Sequence, residues 1–195
     1  MDKFSYVGNA DVSAIEEMYQ QYRKDPSSVD NSWQKFFEGV EFAKTDYTDK
    51  GEVPEGEYVL PIGVAEIKRA GTDVTVVSFG KIIKEAYKAA EDLEKEGISC
   101  EVIDLRTVRP LDINSILESV KKTNRLVILE EAWPFGNVST EITYQVQQKA
   151  FDYLDAPIIK INTADTPAPY SPVLLEEWLP NSNDVVKAVK KVLYK

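Results

Sequence analysis

The chain has 195 residues, room for one ordinary domain and an appendage, and 43% of them are apolar, enough to bury a core. Its formal charge of −10 argues against nucleic acid or an anionic membrane as partner, because both need clustered Lys and Arg, and favours a basic protein surface. No histidine occurs anywhere, which removes Ser-His and Cys-His triads, His-containing zinc sites and the commonest general base at neutral pH. No stretch approaches the roughly 18 apolar residues of a membrane span. The acidic opening MDKFSYVGNADV lacks the apolar core of a secretory signal, and a single cysteine, Cys100, excludes an internal disulfide. A cytoplasmic location is the expectation.

Residues 1–47 read as a helical segment. In DVSAIEEMYQQYRKDP, Ser13 and Glu16 suggest a capping box ahead of Ile15, Met18, Tyr19 and Tyr22, and Pro26 stops the helix. In DNSWQKFFEGVEFAK, Trp33, Phe36, Phe37 and Val40 share a face, with Asp30 or Ser32 as cap. Two short helices with this much aromatic surface are expected to need a partner. Residues 48–57, rich in Gly, Pro and acid, read as a linker.

From 58 to 195 the texture becomes strand–helix alternation. VTVVSF (74–79), CEVIDL (100–105), RLVILEE (125–131) and PIIKIN (157–162) read as buried strands. Between them the pattern predicts helices over Lys81–Glu96, Ile113–Lys122 with Asp112 as cap, and Ser139–Leu154. A turn near Leu174–Trp178 and a last helix from about Asp184 complete the series. Strands apolar on both faces and alternating with helices mean an α/β domain, a three-layer, mostly parallel sheet covered on both sides.

The candidate sites cluster after the strands, where α/β enzymes keep their chemistry. Glu130 and Glu131 are neighbours on a strand, so they point to opposite faces and read as a solvated strand end. Arg106 and Arg109 are placed either to clamp a small anion or to pair with Asp104, Asp112 or the glutamates. Gly80, before a helix N-terminus, outlines an anion site but lacks the glycine-rich phosphate motifs, and tight helix–strand packing accounts for it as well. Cys100 reads as a core thiol. Trp133, Pro134 and Phe135 form an apolar loop of the kind that packs at interfaces. None of these groups converges on a reaction.

Taken together, GEVPEGEYVLPIGVAEIKRAGTDVTVVSFG, EVIDLRTVRPLD, EEAWPFGNVSTEI, FDYLDAPIIKINTADTPAPY and LPNSNDVVKAVKKVL resemble the C-terminal domain of the beta subunit of pyruvate dehydrogenase's decarboxylating component, a transketolase C-terminal-like fold. The N-terminal DVSAIEEMYQQYRKDPSSVDNSWQKFFEGVEF resembles the opening segment of the 2-oxoglutarate dehydrogenase decarboxylating component. The two resemblances meet near residues 47–51, so a chimera or truncated product is expected. The thiamine diphosphate and magnesium of the parent enzymes have no matching G-D-G…N motif here, so no cofactor and no catalytic residue is expected in this chain. By the resemblance, its role is assembly: homodimerisation, with Trp133, Pro134 and Phe135 in the interface, and contact with the alpha subunit or the remaining parts of the decarboxylating component. The resemblance also implies attachment to the peripheral subunit-binding domain of the acyltransferase. Asp155 matches the acid of the family's L-[DE]-A-P segment, and the chain end, Lys195, lies in the same neighbourhood. The alternative is a stand-alone α/β protein holding a small anion near Arg106, Arg109 and Gly80.

Overall fold

The computed structural model describes residues 12–44, 56 and 58–195. It divides into two compact units, Met1–Tyr58 and Val59–Lys195. The expected linker over 48–57 lies, Gly56 apart, outside the described residues, as does the junction near 47–51.

In the first unit, α1 (Val12–Lys24) and α2 (Asn31–Lys44) flank a 3-10 turn at Pro26–Ser28. Proline at the turn's start ends α1 as expected, and the Asp25 carboxylate caps the turn by accepting from the Ser27 amide at 2.9 Å. The cap of α2 is Asp30, whose carboxylate accepts from the Ser32 and Trp33 amides at 2.8 and 3.2 Å. Ser13 is already the second residue of α1, and Glu16 accepts from the Gln20 side chain at 3.0 Å. The side chain of Ser13, and with it the expected capping box, lies outside the described set. Tyr19, Val29 and Phe37 form a buried nucleus, with Trp33 stacked on Phe37 at 5.4 Å between centroids. Within this cluster Phe37 is buried to 2% exposure. The side chain of Val40 is outside the described set.

The second unit is a five-stranded sheet in the order β1-β3-β2-β4-β5. Its strands are β1 (Glu66–Arg69), β2 (Val74–Ser78), β3 (Cys100–Asp104), β4 (Leu126–Leu129) and β5 (Ile159–Ile161). The last four are parallel; β1 is an antiparallel edge with an irregular register between Ile67 and Arg69. The apolar pattern assigns no strand to Glu66–Arg69, because an edge strand with one pairing neighbour buries little, and Ile67 stays 52% exposed. Helices α3 (Ile83–Lys95) and α7 (Ser182–Val192) cover one face, over Val74, Val76, Cys100, Val102, Val127 and Leu129. Helices α4 (Ile113–Thr123) and α5 (Val138–Ala150) cover the other, over Val77, Ile103, Leu126 and Ile128. The short α6 (Pro172–Trp178) precedes α7.

Several boundaries move for local reasons. Asn137 caps α5 by accepting from the Thr140 amide at 3.0 Å, so that helix starts one residue early, and after Ala150 the chain tightens into a 3-10 turn at Phe151–Tyr153. Asn181 and Asp184 form a reciprocal capping box, which starts α7 at Ser182. Asp112 caps α4 as expected, and also accepts from the Ala65 amide at 2.9 Å. Gly71 is required by close approach, since a Cβ there would lie 2.2 Å from the Cys100 carbonyl carbon.

One polar cluster sits inside the sheet layers. Glu101, on buried β3, pairs with Lys122 and accepts from the Gly71 amide at 3.3 Å, while Thr75 Oγ1 lies 2.6 Å from both Ser119 Oγ and Thr123 Oγ1. Burial works against ionising Glu101, but hydrogen bonds from Lys122, Ser119 and Gly71 outweigh it and hold the carboxyl below its usual range.

Candidate functional site

The parallel strands run β3-β2-β4-β5, so the crossovers from β2 to β3 and from β3 to β4 leave in opposite directions. The crevice past the carboxyl ends of β2 and β4 is then the topological switch point, where open α/β sheets bind ligands. Ser78 ends β2 and is fully buried; Glu130 follows β4 and is 2% exposed.

Glu130 is therefore not a solvated strand end, which corrects the sequence reading. Its two carboxylate oxygens accept from the Val138 and Ser139 amides at 3.1 and 2.9 Å, filling the N-terminal turn of α5. Helix N-terminal amides lack internal partners and carry partial positive charge, so they are satisfied by a buried carboxylate placed there. Glu131, the next residue, faces solvent. The alternation was legible in the sequence; the amides that would capture one acid lie eight and nine residues on, and no local pattern marks them.

Above Glu130 the Trp133-Pro134-Phe135 loop is held from two sides. Lys160 on β5 donates to the Pro134 carbonyl at 3.0 Å and to Thr140 Oγ1 at 2.8 Å. The indoles of Trp133 and Trp178 both donate to the Thr166 carbonyl, at 3.0 and 2.9 Å, clasping the loop to the Pro-rich segment and α6. The aromatic surface remains bare: Phe135 is 92% exposed and Trp133 54%. A recess of about 440 Å³ lies beside it, lined by Glu130, Trp133, Phe135, Asn137 and Glu141 among others.

The two arginines separate. Arg106, at a φ of +56°, pairs through its guanidinium with Glu66 on the edge strand, a partner the sequence reading did not name. Its amide also donates to Asp104 at 2.9 Å. Arg109 is exposed and in no ion pair among the described residues. Gly80 has a φ of +69°, and a Cβ built there meets nothing within 4 Å. The turn's left-handed backbone, not tight packing, calls for glycine there. Cys100 is buried, and burial raises its thiol pKa to about 12, so it is no nucleophile at neutral pH.

Asp155 sits at the far, amino-terminal side of β5, away from the crevice. Its carboxylate pairs with Arg125 at 3.4 Å, its carbonyl accepts from the Tyr194 hydroxyl at 3.2 Å, and Arg125 Nε also donates to the Val192 carbonyl at 3.1 Å. The chain end is thereby drawn beside Asp155, with Lys195 exposed next to it. No group of three or more Cys, Asp or Glu converges as a metal site among the described residues. With both Glu130 oxygens engaged by backbone amides, that carboxylate is poorly placed to hold a magnesium ion. Among the described residues, no helix is long and apolar enough to cross a membrane.

Comparison with known proteins agrees with this architecture. Residues 63–185 match the family model "Transketolase, C-terminal domain", and residues 5–44 match "2-oxoglutarate dehydrogenase N-terminus". The chain is 53% identical over 150 residues to the pyruvate dehydrogenase E1 component subunit beta of Rhizobium meliloti, covering 76% of this chain and 33% of that protein. It is 45% identical over 164 residues to the acetoin:2,6-dichlorophenolindophenol oxidoreductase subunit beta of Bacillus subtilis, covering 84% and 47%. The chain thus spans about a third to a half of the length of these relatives. A solved structure described as a split-gene transketolase, an inactive beta4 tetramer, superposes with a TM-score of 0.63 at 28% identity, over 74% of this chain and 46% of that one. The chain belongs to the transketolase C-terminal domain family, with a 2-oxoglutarate dehydrogenase-type segment at its N-terminal end.

Proposed function

We propose that this chain is a non-catalytic assembly module of a thiamine diphosphate-dependent 2-oxo acid dehydrogenase, joining subunits through two surfaces. The observation that carries the reading is the state of the switch point. Its acid is spent on the start of α5, while the loop above presents aromatic side chains to solvent. A surface whose buried carboxylate is already hydrogen-bonded and whose aromatic anchors are bare is suited to docking. The relatives are named as beta subunits, which supports partners of the same kind here: a second copy, or the alpha subunit or remaining parts of the decarboxylating component, at the aromatic face. The match of residues 5–44 to a different enzyme supports reading the chain as a join of two genes.

The second surface is the Asp155 turn with the chain end at Lys195, assigned to the acyltransferase's subunit-binding domain. An acidic turn on a protein of charge −10 suits a basic partner. Asp155 is already paired with Arg125 and its side chain is 58% exposed, so a partner's arginine competes for a carboxylate that is oriented and still accessible. Asp155→Lys places a second cation against Arg125 and removes the acceptor. Affinity for the subunit-binding domain should then fall at least about tenfold, roughly 1.4 kcal/mol. Raising salt should weaken the wild type more than the variant. Calorimetric titration decides it: unchanged affinity in a folded Asp155→Lys protein sinks the assignment.

A further inference from the structure

The aromatic face carries an uneven charge. Residues 130–141 and 160–180, which build this face, hold six acids, one lysine and no arginine. Glu131, Glu141, Asp165, Glu176 and Glu177 are exposed, and none is in an ion pair among the described residues. Lys160, the lysine beneath the loop, turns its ammonium onto the Pro134 carbonyl and Thr140 Oγ1, so it neutralises none of these acids. The clasp of Trp133 and Trp178 on Thr166 is flanked by two recesses, of about 440 and 270 Å³, each otherwise largely apolar and each with one exposed carboxylate on its wall, Glu141 in the first and Glu177 in the second. Phe135 on the wall of the first and Leu174 on the wall of the second are 92% and 58% exposed, and Val173 beside Leu174 is 71% exposed.

We infer that this face docks a cationic segment of a different polypeptide, one that seats an apolar or aromatic side chain beside Trp133 and Phe135 and sets Lys or Arg against Glu141 and Glu177. The inference rests on the reading of this face as a subunit contact and selects between the occupants that reading allows. A second copy is the poorer occupant. Pairing the face with itself brings the same unneutralised carboxylates together, and like charges across an interface suppress association. A cationic partner gains from both terms, because the acids steer encounter and the aromatic anchors hold the complex. The hydrogen bonds that fix the loop leave little to be ordered on binding.

The test uses the full-length chain and three probe peptides of equal length: an amphipathic Leu/Lys helix, its Leu/Glu counterpart and an oligolysine without leucine. Binding is followed by indole N–H resonances, with Trp133 and Trp178 expected to shift and Trp33 to stay. The Leu/Lys peptide should bind at least about tenfold tighter than either control, a difference of roughly 1.4 kcal/mol. Phe135→Ser, at a fully exposed position, should lose most of that affinity. The pair Glu141→Lys/Glu177→Lys should lose it too and gain the Leu/Glu peptide. Equal binding of oligolysine would mean that net charge alone is being read, and would overturn the inference. So would a wild-type dimer in sedimentation that Phe135→Ser dissociates while the Leu/Lys peptide fails to bind. The peptide shifts report on Trp133 and Trp178 and the calorimetric titration on Asp155, so failure at the Asp155 surface and failure here are read separately.

Discussion

The adjacent acids after β4 offer a direct test of the structural reading, because they differ in surroundings and in nothing else. Glu130→Ala removes two charge-assisted hydrogen bonds, at 3.1 and 2.9 Å, and leaves the Val138 and Ser139 amides without acceptors beneath the loop. Hydrogen bonds to a charged group contribute about 1.5–3 kcal/mol each, and an anion at a partly buried helix N-terminus up to about 2 kcal/mol. These terms overlap, and Asn137 still caps Thr140, so the net loss is set at about 3 kcal/mol, a large part of the roughly 5–15 kcal/mol that holds a domain together. In a chain of this size about 3 kcal/mol lowers the melting temperature by roughly 6–12 °C. Glu130→Gln keeps one acceptor but turns an N–H group toward an N–H group, and should fall between. Glu131→Ala, at an exposed position, should stay within about 0.5 kcal/mol of wild type. Far-UV circular dichroism melts of the four proteins provide the measurement. Equal melting of Glu130→Ala and wild type, or an equal drop in Glu131→Ala, would refute the capping role and return Glu130 to the list of free carboxylates.

Other outcomes follow from named groups. Because Glu101 is held below the usual carboxylate range, its contribution is fully present above the unfolded value of about 4.3 and is lost as pH falls through the lower folded value. Glu101→Gln should therefore be about 1–3 kcal/mol less stable at neutral pH, with the gap to wild type closing in urea titrations run below about pH 4. Cys100, its thiol raised to about 12 by burial, should resist a disulfide reagent in the native protein and react promptly in urea; equal rates would contradict the buried strand. With thiamine diphosphate, magnesium and either pyruvate or 2-oxoglutarate, the chain alone should show no decarboxylation, and turnover rising with its concentration would end the non-catalytic reading.

The four parallel strands were legible as short apolar runs, and β2, β3 and β4 are buried at nearly every position, which only a sheet covered twice explains. The edge strand escaped because Glu66–Arg69 has charged residues at three of four positions and no apolar period. The same omission hid the partner of Arg106, since Glu66 becomes its neighbour only when β1 lies antiparallel to β3, 40 residues away. The exposed aromatic loop was identified from its residue types, but its support was not. Lys160 and Thr166 mark themselves by no motif, and their roles depend on β5 running beside β4. Adjacent-residue logic gave the opposite faces of Glu130 and Glu131 and then failed on their solvation, which depends on where α5 begins.

A reactive site needs at least one group whose protonation or coordination is still free to change during the reaction. Around this switch point three charged groups have lost much of that freedom. Glu130 has both oxygens engaged, Lys160 is fixed on a carbonyl and a hydroxyl, and Arg106 is bound to Glu66. The same saturation rigidifies the loop that carries Trp133 and Phe135. Anchors that are already positioned lose little conformational freedom on association, which is the condition under which an exposed aromatic pair becomes a tight contact. The hydrogen bonds that occupy Glu130 and Lys160 thus also hold in place the loop above them, with Phe135 turned to solvent.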